Sequence, residues 1–389
     1  MKNTNKSSKK RILFITQSLA RGGMETVLVN IANCLAEKDF DVTILCYEPK
    51  NELVSDLSPD VRYVYKPRKE FPVLRKTPYI KRFYKYNKAV WEHRASAKTL
   101  YKYYVGNDKY DVEIGFYRGP SIKIISGSTN KKSKKLAWVH TDLRLCNPKT
   151  ILGWFNNIEE VKTAYGKTDG IICVSEQAKQ SFVETIGHAE KTKTVYNLIP
   201  SKKIIKKSNV ASPLTRRKFT IITVGRLIPD KRQDRLLSAA KRLRDEGYDF
   251  DMWIVGGGVS ETKLKNYCSE NSLDNVVFTG MQSNPYSYMK AADLFVLTSW
   301  REGFALVIPE AMACGLPILS TVCTGPTEIL NNGEFGMLVD NSSEGVYNGI
   351  KNVLDNPELM KGFKEKSERR FLDFDEENII SEIIALFEF

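Results

Sequence analysis

Histidine is scarce in this chain, and its cysteines are scattered. Of 389 residues only His93, His140 and His188 are histidine, and the seven cysteines form no CxxC pair. A structural zinc site needs closely spaced Cys and His ligands, so zinc is not expected. Cys34, Cys46, Cys173 and Cys314 sit in apolar contexts and read as reduced thiols in a core. Long apolar runs are missing as well. No stretch approaches the roughly 20 uninterrupted apolar residues of a membrane span. The basic, polar stretch Met1–Arg11 runs into only four apolar residues, Ile12–Ile15, which is too short for the core of a signal peptide. The expected compartment is therefore the cytoplasm. The hydrophobic fraction, 42%, is that of a globular protein, and the length exceeds one ordinary core, so two domains are expected.

The net charge of +13 is concentrated. Between Arg62 and Lys109 fourteen Lys or Arg face only Glu70, Glu92 and Asp108, a local balance of +11. Aromatic residues from Tyr63 to Tyr104 are interleaved with them. Basic stems with aromatic faces suit an anionic membrane surface, at about 1 kcal/mol per juxtamembrane cation. A solvated basic helix is the plainer alternative.

Strand and helix patterns alternate along the chain. Arg11–Thr16 and Val42–Cys46 read as strands flanking a helix, Glu25–Glu37, whose Val27, Leu28, Ile31 and Leu35 share one face. Further strands are expected at Val112–Phe116, Lys135–Val139, Gly170–Val174 and Thr194–Tyr196. Lys202–Lys218, polar and basic, reads as an inter-domain linker. The alternation then resumes with Phe219–Val224, Asp251–Val255, Val276–Thr279, Leu294–Thr298, Pro317–Ser320 and Gly336–Val339 as strands. The organisation is two successive α/β halves with parallel sheets, and ligands gather at the carboxyl ends of such strands.

Two segments at those ends carry chemistry. In Val224-Gly225-Arg226-Leu227-Ile228-Pro229-Asp230-Lys231 a glycine turn brings two cations onto a loop that opens a helix. Arg226 can fork two phosphate oxygens and Lys231 supplies a point charge, which suits a diphosphate. The segment reads equally as a surface ion-pair loop. In Thr298–Ala311 two glutamates, Glu302 and Glu310, flank a Gly-Phe turn, with Pro309 near a helix start. Backbone amides of Gly303, Phe304, Ala305, Leu306 and Val307 would meet an anion there. Carboxylates accept hydrogen bonds from paired hydroxyls, as on ribose or hexose. Glu310 alone also reads as a helix-start charge, worth about 0.3–1 kcal/mol.

Together these segments resemble a retaining glycosyltransferase of family four, group 1, and the match spans nearly the whole chain. The resemblance implies the GT-B fold: two facing Rossmann-like domains with parallel sheets, at 1–205 and 206–370, and a C-terminal helix within 371–389 packing back on the first. It implies that Arg226 and Lys231 bind the donor diphosphate, Glu310 the ribose and Glu302 the transferred hexose. Gly225, Gly256 and Met281 would belong to the nucleotide-binding edge. His140, in Trp138-Val139-His140-Thr141-Asp142, resembles the active-site histidine, and Gly22-Gly23 the glycine-rich donor loop. The family's Gly-Gly-x-x-Glu pattern is replaced by Thr324-Gly325-Pro326-Thr327-Glu328, which leaves the donor sugar open.

The implied activity moves a hexose or N-acetylhexosamine from a nucleotide sugar, UDP-linked by family habit, to a growing lipid-linked glycan. The basic aromatic segment would place such an enzyme at the inner face of the cell membrane, as a peripheral protein. No cofactor or metal is expected, because cations stand where Mg2+ would. A nucleic-acid partner is disfavoured, since carboxylates beside the phosphate loop repel a polyanion. A sugar-nucleotide epimerase of the same architecture, or transfer to a teichoic acid or protein, are the alternatives.

Overall fold

Short apolar runs separated by amphipathic helices can pair only in parallel, because each crossover helix returns the chain to the same edge of the sheet. The computed structural model describes residues 9–67 and 92–388. The chain divides into two units, Met1–Leu198 with Ile380–Phe389, and Ile199–Ile379.

The first unit holds β1 (Arg11–Thr16), β2 (Asp41–Cys46), β3 (Val61–Tyr65), β4 (Val112–Gly115), β5 (Lys134–Val139), β6 (Gly170–Cys173) and β7 (Thr192–Thr194). They pair in the order β3-β2-β1-β4-β5-β6-β7, all parallel. The second unit holds β8 (Phe219–Val224), β9 (Phe250–Val255), β10 (Val276–Gly280), β11 (Leu294–Leu297), β12 (Ile318–Thr321) and β13 (Met337–Val339). Their order is β10-β9-β8-β11-β12-β13, again parallel throughout. Both central strand sets are buried on both faces, as the near-continuous apolar runs require. In each sheet the winding direction reverses once, between β1 and β4 and between β8 and β11. Loops leaving adjacent strands on opposite faces open a crevice at that point.

The structure corrects several expectations. Ser201–Ser208, which overlaps the start of the expected linker, is a helix with Ile204 buried. Its lysines hid it, but Lys202 is anchored by Glu376 at 3.3 Å and Glu377 at 2.7 Å. β3 was not anticipated, because Arg62 interrupts its apolar alternation; that guanidinium meets Tyr110 at 2.9 Å and Asp108 at 3.3 Å. β7 lies two residues earlier than its expected place.

The basic aromatic segment is only partly described, since 68–91 lie outside the described residues. Within the rest, Tyr101 and Tyr104 are core residues and Tyr101 donates to the buried Glu113 at 2.8 Å. Those two rings are not available to a membrane surface. Among the described residues no helix is long and apolar enough to cross a membrane. The seven cysteines are free thiols, four of them buried.

Candidate functional site

Three turns interleave at the carboxyl edge of the second sheet. The Gly225 amide donates to the Val255 carbonyl (3.0 Å), the Leu227 amide to Gly257 (3.0 Å) and the Gly256 amide to Gly280 (2.9 Å). This close approach is why glycine is needed. A Cβ on Gly256, at φ +143°, would run into the Gly225 carbonyl oxygen. Gly256→Ala is therefore expected to lose about 1–3 kcal/mol to backbone strain alone, read as a lower urea midpoint; an unchanged midpoint would contradict this packing. Met281, 60% exposed, flanks the same turns.

Across the reversal between β8 and β11 two of the four expected catalytic groups meet. Lys231, closing the short turn Pro229–Lys231, bonds its ammonium to Oε1 of Glu302 in the loop after β11. Their side chains are 21% and 13% exposed, so water screens the pair only partly. The Ser299 hydroxyl donates to the same Oε1 at 2.7 Å, and Thr298 Oγ1 donates to the Lys231 carbonyl at 2.9 Å. Asp230, the other acid of this loop, is held by Arg301 at 3.0 Å. Arg226 projects into solvent with no carboxylate partner among the described residues. One cation is thus paired within the site and the other is open to an anion.

The Gly303–Val307 backbone leads into the helix Val307–Ala313, with Ala305 in the left-handed region at φ +32°. Phe304 is buried edge-on against Phe374, with ring centroids 5.7 Å apart. The Thr324–Ile329 helix packs directly on this turn: the Gly325 amide donates to the Glu302 carbonyl at 3.1 Å, and a Cβ there would lie 2.9 Å from the Phe304 Cα. The segment that departs from the family pattern therefore supports the glutamate loop itself. Glu310 follows on the helix, where it accepts from the Tyr286 hydroxyl at 3.3 Å rather than from Lys231. Burial pushes its carboxyl up to about 7.

In the first unit Gly22 precedes the helix Gly23–Glu37, and its carbonyl accepts from both the amide (3.0 Å) and the hydroxyl (2.8 Å) of Thr26. Met24 at the start of that helix lines one pocket with Tyr117, Arg118, His140, Thr141 and Leu143. His140 Nε2 lies 2.9 Å from the Phe116 carbonyl, which can only accept, so Nε2 carries the proton and Nδ1 is left as an acceptor. Burial, with Arg118 adding to it, pushes the imidazole pKa down to about 3 against the pull of that carbonyl. At neutral pH this histidine is uncharged.

Sequence reasoning missed Arg118, whose guanidinium donates to the Cys146 thiol at 3.0 Å. The signal was available, since Tyr117-Arg118 lies in the loop after β4, the strand at the reversal. Among the described residues no group of three or more His, Cys, Asp or Glu is placed to hold a metal ion.

Comparison with known proteins agrees with this fold. The model of the Glycosyltransferase Family 4 matches residues 21–203, and that of the glycosyl transferases group 1 matches 204–370. A Campylobacter jejuni protein, N-acetylgalactosamine-N,N'-diacetylbacillosaminyl-diphospho-undecaprenol 4-alpha-N-acetylgalactosaminyltransferase, is 27% identical over 382 residues, covering 93% of this chain and 95% of its own. A Staphylococcus aureus capsular polysaccharide biosynthesis glycosyltransferase is 27% identical over 155 residues, 39% of this chain and 41% of its own. The structure of HepE from Anabaena in complex with UDP superposes with a TM-score of 0.74 at 18% identity, covering 96% of this chain and 98% of that one. With two Rossmann-like units of the GT-B class and family models covering both, the chain belongs to the group 1, family 4 glycosyltransferases.

Proposed function

We propose that the chain moves a hexose or N-acetylhexosamine from a UDP-sugar to a lipid-linked glycan, with retention at the anomeric carbon. The observation that carries this reading is the Lys231–Glu302 contact at the sheet reversal, with Arg226 open beside it. Departure of the diphosphate builds negative charge on the leaving group. Arg226, Lys231 and the Gly303–Val307 amides would stabilise it where it develops, in place of a divalent cation. Glu302 would receive hydroxyls of the transferred sugar and Glu310 those of the ribose. Gly225, Gly256 and Met281 would border the nucleotide. Within the first unit, the Gly22-Gly23 turn is assigned to donor binding and the neutral imidazole of His140, able to accept a sugar hydroxyl at Nδ1, to catalysis.

The lipid-linked acceptor is supported by the diphospho-undecaprenol named for the Campylobacter relative, and UDP by the nucleotide named for the Anabaena structure. A polyprenyl-diphosphate acceptor is membrane-bound, which fits a peripheral enzyme with a net charge of +13 at the inner face of the membrane. The test is a panel of UDP- and GDP-sugars offered with a polyprenyl-diphosphate saccharide, in EDTA, with the anomeric configuration of the product read by proton NMR. An α-linked product from one UDP-sugar is expected. An inverted linkage, or turnover of the nucleotide sugar without transfer to any acceptor, would contradict the proposal.

A further inference from the structure

Glu302 uses its two carboxylate oxygens unequally. Oε1 takes both protein donors, the Lys231 ammonium and the Ser299 hydroxyl, whereas Oε2 takes none among the described residues. Ser299 is fully buried at the end of β11, so its hydroxyl has no water to turn to. Its backbone is held as firmly as its side chain. The Ser299 carbonyl accepts from Thr321 Oγ1 at 2.8 Å and from Asn341 Nδ2 at 3.4 Å. Asn341, just after β13, also donates to the carbonyls of Trp300 (3.1 Å) and Val322 (2.9 Å). Its own Oδ1 accepts from Arg235, a guanidinium only 5% exposed. One amide therefore ties together the loops leaving β11 and β12, and a buried cation fixes that amide.

We propose that Ser299 is the positioning residue of Glu302 and that Asn341 holds the backbone from which it acts, so that Oε2 is presented to a hydroxyl of the transferred sugar. The proposal rests on the donor-site reading above. The reason two donors are needed is competition. Lys231 is a mobile ammonium, and a diphosphate carries more charge than a single carboxylate, so a bound donor draws Lys231 away from Glu302. Ser299 cannot follow. Its hydroxyl keeps the carboxylate from rotating after the ammonium has changed partner, and the ligand meets a preset acceptor. No charge pairing is involved, and neither residue needs to touch the substrate.

Ser299→Ala separates this role from a merely structural one. It is expected to lower kcat/KM for sugar transfer about tenfold to a hundredfold, the range for a hydrogen bond to a charged group. UDP affinity, which does not use Glu302, should stay at the wild-type value, and Ser299→Thr should restore most of the lost rate. Combined with Glu302→Ala, Ser299→Ala should cost nothing further. Wild-type kcat/KM in Ser299→Ala would overturn the proposal, as would parallel loss of kcat/KM and UDP affinity, or a double variant slower than Glu302→Ala. If Glu302→Ala itself transfers at the wild-type rate, the donor-site reading fails along with it. If Glu302→Ala is inactive while Ser299→Ala is unimpaired, only the positioning role falls.

Discussion

Replacing Lys231 with alanine should lower kcat/KM for transfer about a hundredfold to a thousandfold, the usual loss when a group stabilising a developing oxyanion is removed. UDP binding should weaken with it. The substitution also leaves the Glu302 carboxylate, 13% exposed, with Ser299 as its remaining protein donor. The protein should therefore lose about 1–3 kcal/mol of stability, the cost of an under-satisfied buried acceptor. Glu302→Ala should lower kcat/KM by a similar factor but leave UDP affinity at or above the wild-type value, because it removes a contact to the sugar and frees Lys231 for the phosphates. In the double variant the stability losses should fall short of additivity, since each single change already breaks the same pair. Steady-state kinetics, UDP titration and urea unfolding on the three variants read all of this. Wild-type rates in both single variants would refute the site.

Glu310→Gln should have effects of opposite sign on stability and on binding. Its carboxyl is held up to about 7 in the fold, against an ordinary 4.5, because burial disfavours the charge. A folded value above the unfolded one means that the stabilising contribution is complete below pH 4.5 and is lost as pH rises through 7. At pH 8 the empty protein thus carries an ionised, half-buried carboxylate at a cost on the order of 1–3 kcal/mol. Glutamine removes that cost, so Glu310→Gln should be more stable than wild type at pH 8 and no more stable at pH 4. Ribose hydroxyls, however, donate to the ionised form. Wild-type UDP affinity should rise with pH through about 7, and Glu310→Gln should lose both that dependence and about tenfold or more in affinity. A variant less stable than wild type at pH 8, or one that keeps the pH dependence of UDP binding, would contradict the assignment.

What was legible in the sequence is what lies at strand ends. Lys231 and Glu302 each lie in the loop that follows an apolar run, so the rule that ligands gather at carboxyl ends selects them without knowledge of strand order. Their contact was not legible, because it needs β11 beside β8, a pairing that skips two intervening strands. Asn341 was invisible for the same reason: it acts on the loops after β11 and β12 from the far edge of the sheet. Ser299 stands three residues from Glu302, yet its hydroxyl acquires meaning only from the turn that folds it onto Oε1.

Composition misled where burial decides. Tyr101 and Tyr104 counted toward a basic aromatic surface although they are core, and the lysines of Ser201–Ser208 concealed a helix seated on Ile204. Arg118 stands three residues past β4, where the strand-end rule that selects His140 after β5 applies equally.

The central claim is that Arg226 and Lys231 form a diphosphate site, and calorimetric titration of uridine, UMP and UDP into wild type and an Arg226→Ala/Lys231→Ala variant tests it most directly. Wild type should gain affinity steeply at the second phosphate, and the variant should lose most of that gain while binding uridine as wild type does. A variant that still prefers UDP to UMP by the wild-type margin would contradict the account.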